Sequence, residues 1–336
     1  MQHETQPPLS TQELSESQSP GLHSRGELEA YTFLEGRLER AYTQRNVRST
    51  WDLLIPGAYL EHTEATNLLF YDRSAGLAEF YLPTGPQGEL QLLKRHTGWR
   101  RGWDIIIPGT FLEVSKGDSL LFYDREAGSG ELHAMDGEGG VFRVASFTGW
   151  RRTWNVIVPV LPLDISPGTE RAFTSILFYD KAAGQGEFYT TDGQGHLSRV
   201  VRHLDWRRTW NLIVPFVEFT SDANRTVLVF YDRSAGQGEL YAVDGHGGIA
   251  LLSEHTGWRQ SWDMIIPCRI SGRNSNGLLF YDRMEGLGEL YAVDGRGALS
   301  QVARYTDWRQ TWDAIVFGTL AGPGPFLDPS LLFYDR

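Results

Sequence analysis

Short apolar runs punctuated by glycine-rich turns recur along the chain. WDIIIPGTF at 103–111 is apolar and β-branched, and LLFYD at 120–124 is apolar and aromatic. GELYAVD at 238–244 alternates apolar and polar positions, and ALLSEHTGW at 250–258 alternates again. Runs of this length and composition predict β-strands. Between them lie REAG at 125–128, DGEGG at 136–140, DGHGG at 244–248 and DGRGA at 294–298. Their glycines supply the positive φ that tight hairpin turns require. The pattern predicts groups of four antiparallel strands.

The groups repeat. The aspartate of the FYD motif falls at Asp72, Asp124, Asp180, Asp232, Asp282 and Asp335, in steps of 52, 56, 52, 50 and 53 residues. A tryptophan opens each unit, at Trp51, Trp103, Trp154, Trp210, Trp262 and Trp312. Six units of four strands predict an all-β fold, a six-bladed β-propeller. The last copy of the motif, LLFYDR at 331–336, has no second half after it, whereas GELEAYTFLEGRLERAYTQRNVRST at 26–50 aligns with the missing part. In that alignment Gly26 and Glu27 take the places of Gly288 and Glu289. One blade is therefore expected to be shared by the N- and C-terminal strands, its inner two from 312–336 and its outer two from 26–50. This closes the ring and pairs edges that would otherwise be exposed. An open solenoid is the competing arrangement, but it has no need of complementary half-repeats. The expected organisation is a polar tail over 1–25 and a single propeller domain over 26–336.

Composition narrows the function classes. With 336 residues, 41% hydrophobic and 22% charged, the chain has material for a large core and reads as globular and soluble. A formal net charge of −11 without a Lys/Arg-rich run argues against nucleic acid and against an anionic membrane surface. No apolar run approaches the length of a membrane span. Residues 1–25 are rich in Gln, Ser, Pro and Glu, so disorder is expected there. They lack the apolar core of a signal peptide, and a cytoplasmic location is the expectation. The single cysteine, Cys268, has no partner for an internal disulfide.

The pattern W-x-x-I-x-P-G-x-F, followed by L-L-F-Y-D and a glycine-rich hairpin, resembles the FG-GAP and VCBS-type repeats of integrin-α-like propellers over nearly the whole chain beyond the tail. That resemblance implies the propeller fold and, in the family, a calcium site in the loop between the first two strands. Here those loops read AYLEHTEATN (58–67), TFLEVSKGDS (110–119) and VEFTSDANRTV (217–227). They lack the alternating oxygen ligands that calcium needs, so no metal or other cofactor is expected. A looser resemblance, in blade number and residue types, is to six-bladed fungal and bacterial lectins of the fucose-binding type. There an arginine, a glutamate and an aromatic residue from neighbouring blades hold a sugar.

Two repeat positions carry the residue types of such a site. Arg48, Arg100, Arg151, Arg207, Arg259 and Arg309 form one set, and Glu27, Glu79, Glu131, Glu187, Glu239 and Glu289 another. A planar guanidinium can hold a carboxylate through two parallel hydrogen bonds, so these sets are read first as staples between strands or blades. The functional reading is a recognition array for a carbohydrate or other small molecule. In it, Arg and Glu bind hydroxyls while Trp99, Trp150, Trp206, Trp258 or Trp308 stacks on the sugar. Val47 replaces that tryptophan in the composite blade, whose site is expected to be dead. Asp52, Asp104, Asn155, Asn211, Asp263 and Asp313 follow the opening tryptophans and either cap turns or ring the channel mouth. His96, His203 and His255 share a slot with Phe147 and Tyr305, which argues for packing over metal ligation.

An alternative reading is an enzyme, such as a cyclase or pericyclase of specialised metabolism, with an asymmetric pocket in the central channel. After the consensus proline, Gly57 and Gly109 give way to Val160, Phe216 and Cys268. On this reading Glu218 and Arg269 are the catalytic candidates, and Tyr59, Phe111, Phe216, Cys268 and Phe317 line the channel. Cys268 has no sequence-visible base to activate it, and a buried thiol is expected. Equivalent notches between blades favour recognition, and one deep apolar funnel reaching Phe216, Cys268 and Arg269 favours the enzyme.

Overall fold

The computed structural model describes residues 26–336 except 35, 62, 64, 85–88, 164–171, 220–223, 271–275 and 322–327. The tail expected to be disordered, 1–25, lies outside the described residues. Two strands, β1 (Gly26–Leu34) and β2 (Arg37–Val47), come first. The first blade is β3 (Leu53–Gly57), β4 (Asn67–Asp72), β5 (Leu77–Thr84) and β6 (Glu89–Thr97). The second is β7 (Ile105–Gly109), β8 (Ser119–Asp124), β9 (Ser129–Met135) and β10 (Val141–Thr148). The third is β11 (Trp154–Val160), β12 (Ser175–Asp180), β13 (Gln185–Thr191) and β14 (Leu197–His203). The fourth is β15 (Leu212–Phe219), β16 (Asn224–Asp232), β17 (Gln237–Val243) and β18 (Ile249–Thr256). The fifth is β19 (Met264–Arg269), β20 (Asn276–Asp282), β21 (Leu287–Val293) and β22 (Leu299–Tyr305). Then come β23 (Trp312–Ala321) and β24 (Asp328–Asp335).

These strands make six four-stranded antiparallel sheets, and the sixth has the order β2-β1-β24-β23. The two chain ends thus share one blade, with β24 paired to β1 from Glu27↔Asp335 through Thr32↔Ser330. Each inner strand lies beside the inner strands of its neighbours, and β23 lies beside β3, so the ring is closed. The register corrects one alignment. Glu29, not Glu27, sits opposite Phe333, as Glu289 sits opposite Phe280. Glu29 also accepts the Tyr31 hydroxyl as Glu289 accepts that of Tyr291.

The second strand of each blade is buried on both faces, which is why LLFYD runs apolar without alternation. In the first blade Leu68 and Phe70 join the core shared with the sixth blade, whereas Leu69 and Tyr71 join the core shared with the second. The six hydrophobic clusters accordingly lie between blades, one per junction.

Packing at the junctions follows conserved volume with exchanged shape. A methyl group at Gly130, Gly186, Gly238 or Gly288 would collide with Trp150, Trp206, Trp258 or Trp308. In the first blade Ala78 takes the glycine's place in the register, and in the composite blade Leu28 does. Val47 there replaces the tryptophan, and Leu28 and Val47 pack in one cluster. A second exchange lies on the inner strands. The rings of Tyr59 and Phe111 fold back over Gly57 and Gly109, leaving no room for a Cβ. Where Val160, Phe216 or Cys268 stands instead, its side chain is itself buried in the adjoining junction core.

This pairing gives a stability prediction. Val47→Trp overpacks and is expected to cost ~1–3 kcal/mol. Leu28→Gly empties the site and is expected to cost ~2–5 kcal/mol. The double variant, which recreates the tryptophan-over-glycine arrangement, should lose less than the sum by more than about 1 kcal/mol. Denaturant unfolding of the four proteins measures the coupling, and strictly additive losses would contradict the packing account.

Candidate interblade notches

The connector entering each blade carries the repeat arginine, and both flanking blades hold it. The FYD tyrosine of the preceding blade donates its hydroxyl to the arginine's carbonyl: Tyr71 to Arg100, Tyr123 to Arg151, Tyr179 to Arg207, Tyr231 to Arg259, Tyr281 to Arg309 and Tyr334 to Arg48. The guanidinium then lies over the tryptophan that opens the next blade, 4.8–5.6 Å from the ring centre. Its charge meets that blade's carboxylates. Arg151 reaches Glu187 at 2.9 Å and Asp180 at 3.5 Å, and Arg207 pairs with Glu239. Arg309 binds Glu27 at 3.0 Å, Glu29 at 2.9 Å and Asp335 at 3.3 Å. Arg100, Arg259 and Arg48 pair with Asp124, Asp282 and Asp72. Each repeat arginine thus staples its junction through a carboxylate of the blade it enters, a glutamate for Arg151, Arg207 and Arg309 and the FYD aspartate for Arg48, Arg100 and Arg259.

Two junctions also open into cavities at the same repeat position. Between the second and third blades a notch of about 270 Å³ is lined by Trp150, Arg151, Glu187, Tyr189, Phe147 and Arg202, among others. Between the third and fourth blades one of about 370 Å³ is lined by Trp206, Arg207, Glu239, Tyr241, Leu251 and Glu254, among others. Trp150 and Trp206 are half-buried and already packed on protein rings. Trp150 stacks on Phe147 at 5.1 Å and Trp206 on His203 at 5.4 Å. The histidine slot accordingly packs: His96, His203 and His255 each approach a hairpin carbonyl of the next blade, at Gly139, Gly247 and Gly297.

Electrostatics hold Glu187 and Asp72 as anions. Burial alone would raise Glu187, but the Tyr189 hydroxyl, Arg151 and Arg202 outweigh it and hold the carboxyl below its ordinary value. Burial and the same contact with Glu187 push Tyr189 up to about 12. Asp72 likewise lies low despite its burial, through Thr50, Ala75, Ser74 and Arg48. The residue two places after each glutamate, Tyr189 or its counterparts Tyr31, Tyr81, His133, Tyr241 and Tyr291, was not among the candidates. The recurring E-x-Y spacing is the sequence feature that marks it.

The remaining candidates lie elsewhere. Asp52, Asp104, Asn155, Asn211, Asp263 and Asp313 each accept the backbone N–H that follows the FYD aspartate, as turn caps do. The channel end of β7, β11 and β15 holds a cavity of about 320 Å³ lined by Pro108, Pro159, Val160, Pro215, Phe216 and neighbouring small or apolar residues. Its lining includes no titratable side chain, and of the five expected channel residues only Phe216 belongs to it. Tyr59 and Phe111 are fully buried between blades, and Cys268 is buried in the core between the fifth and sixth blades with Phe317 packed against it. Burial pushes the Cys268 thiol well up, away from the reactive thiolate. Glu218 is gripped by Arg225 across the β15–β16 hairpin, and Arg225 also donates to the Gly295 carbonyl of the fifth blade at 2.7 Å. Arg269 ends β19 opposite Asn276. Neither Glu218 nor Arg269 lines the central cavity. Among the described residues no cluster of three or more His, Cys, Asp or Glu side chains is placed to hold a metal ion. No helix among them is long and apolar enough to cross a membrane.

No family model and no curated protein matches the chain. Solved structures are similar to it at low identity. A protein from Lactobacillus plantarum aligns at 11% identity and TM-score 0.46, over 93% of this chain and 100% of its own. A periplasmic gluconolactonase from Pseudomonas aeruginosa aligns at 12% identity and TM-score 0.48, over 84% and 97%. Sqt1 of Saccharomyces cerevisiae aligns at 12% identity and TM-score 0.41, over 76% of this chain and 64% of its own. The class defined by the strand pairings is a six-bladed β-propeller.

The depressed carboxylates make stability acid-sensitive in a definite direction. A carboxyl whose folded value is lowered stabilises the fold above its unfolded value and loses that contribution as pH falls through the folded one. Glu187→Gln is expected to destabilise the protein at neutral pH, and the gap to the parent should close as pH falls below the ordinary glutamate value of 4.5. Unfolding midpoints measured across that range check this. A gap that widens in acid would contradict it.

Proposed function

We propose that the protein is a non-catalytic, multivalent carbohydrate-binding propeller of lectin type, with its sites in the notches between blades. The observation that carries this reading is the recurrence of one wall, Trp-Arg-Glu-Tyr, around two cavities one repeat apart. In each, a guanidinium and a carboxylate fixed by their mutual ion pair offer donors and acceptors to neighbouring hydroxyls. Aromatic side chains beside them cover the C–H face of a sugar ring. Preorganisation by the ion pair lowers the ordering cost of binding. The enzyme reading gains no support from the central cavity, whose lining lacks an acid or base.

A glycan array probed with the full chain tests the proposal. Arg151→Ala and Arg207→Ala should each weaken retention, since each removes a charge-assisted hydrogen-bond donor to the ligand worth ~1.5–3 kcal/mol, about tenfold or more in affinity. The double variant should lose binding, whereas Arg48→Ala, at the junction where Val47 replaces the tryptophan, should bind as the parent does. Retention of no glycan, or undiminished retention by a folded double variant, would overturn the reading.

A further inference from the structure

We propose that the notch between the second and third blades takes an anionic saccharide, one bearing a carboxylate or a sulfate ester, while the notch between the third and fourth does not. This inference rests on the carbohydrate reading and specifies its ligand class.

The two notches are the same site in the repeat but carry opposite charge. The first is lined by three arginines, Arg151, Arg199 and Arg202, against one acid, Glu187, a formal charge of +2. The second is lined by one arginine, Arg207, against three acids, Asp205, Glu239 and Glu254, a formal charge of −2. Much of the difference arises at two registers of the outermost strand. Arg199 sits opposite Tyr189 where Leu251 sits opposite Tyr241, and Arg202 sits opposite Glu187 where Glu254 sits opposite Glu239. Each of the other five blades has at most one arginine at these two registers.

The basic cluster has donors to spare. Glu187 accepts from Arg151 at 2.9 Å, from Arg202 at 2.7 Å and from the Tyr189 hydroxyl at 2.7 Å, with Arg199 3.6 Å away. Three guanidiniums carry fifteen N–H groups by the usual count of five each, against roughly four lone-pair positions on one carboxylate. Asp180 and Gln185 take further donors from Arg151 alone. Arg199 and Arg202 are 45% and 38% exposed, so their remaining donors face the open notch. A ligand anion there gains charge-assisted hydrogen bonds without displacing Glu187. In the other notch the same anion would meet Glu239 and Glu254.

The test is an array of uronate-, sialate- and sulfate-bearing saccharides beside their neutral counterparts, probed with the labelled full chain, with R199L/R202E and with L251R/E254R. The parent should prefer anionic members, and R199L/R202E should lose them by at least about tenfold, while neutral binding at the notch between the third and fourth blades, which these two residues do not line, persists. L251R/E254R should gain anionic binding. Raising ionic strength from ~0.01 M to ~0.15 M, which shortens the screening length from ~30 Å to ~8 Å, should weaken anionic binding selectively. The carboxylate and sulfate members separate the two anion chemistries. Binding of neutral saccharides without preference for anionic ones, or anionic binding unchanged in R199L/R202E, overturns this inference and leaves the carbohydrate reading standing. Binding of no saccharide overturns both.

Discussion

The backbone pairing of β1 with β24 is the constraint on which the rest depends. Without it the sixth sheet would end at β24 and the first two strands would have no blade to join, leaving long strand edges open to other chains. With it, every blade has a neighbour on each face, and the fully buried LLFYD strands find apolar partners on both sides. The seam is also ionic. Arg309 joins Glu27 and Glu29 from one end of the chain to Asp335 from the other. Arg336 reaches the Trp51 carbonyl and Asp52 of the first blade.

The residues that join blades are the same ones that build the notches. Tyr123 holds the main chain of Arg151, Trp154 lies beneath its guanidinium, and Glu187 and Asp180 orient it. The notch is therefore assembled by the contacts that make the ring. A site formed in this way is rigid and recurs with the repeat. Its variation comes only where packing leaves a position free.

The ring was legible because turn chemistry, strand pattern and repeat spacing agreed, and because two half-repeats at the ends of the chain were complementary. The residue types at the junctions were legible too, but their partners were not. Aligning Gly26-Glu27 on Gly288-Glu289 slipped the composite blade by two residues, which keeps every side chain on its expected face and so leaves no mark in the hydrophobic pattern. The spacing of Glu29 to Tyr31 fixes the register instead. The inner strands hid their partners for another reason. Loss of glycine at Val160, Phe216 and Cys268 pointed to an asymmetric channel, but those side chains also enter the junction cores, where Tyr59 and Phe111 supply the corresponding volume by folding over Gly57 and Gly109. Sequence records size at a position, and only packing records which residue supplies it.

That distinction also explains where the notches can diverge between blades. The floor of each notch, formed by Phe178 and Trp154 in one and by Phe230 and Trp210 in the other, belongs to the junction core and tolerates little change in volume. The rim belongs to the outermost strand. There Arg199 and Leu251 occupy one register and Arg202 and Glu254 the next, all of them substantially exposed. Exchange of Arg199 and Arg202 loses their pairing with Glu187, yet the fourth blade keeps the same strand pairing with Leu251 and Glu254 at these registers. The exchange reverses the field over the notch all the same. A propeller built this way can hold its fold constant while each junction acquires a different electrostatic preference.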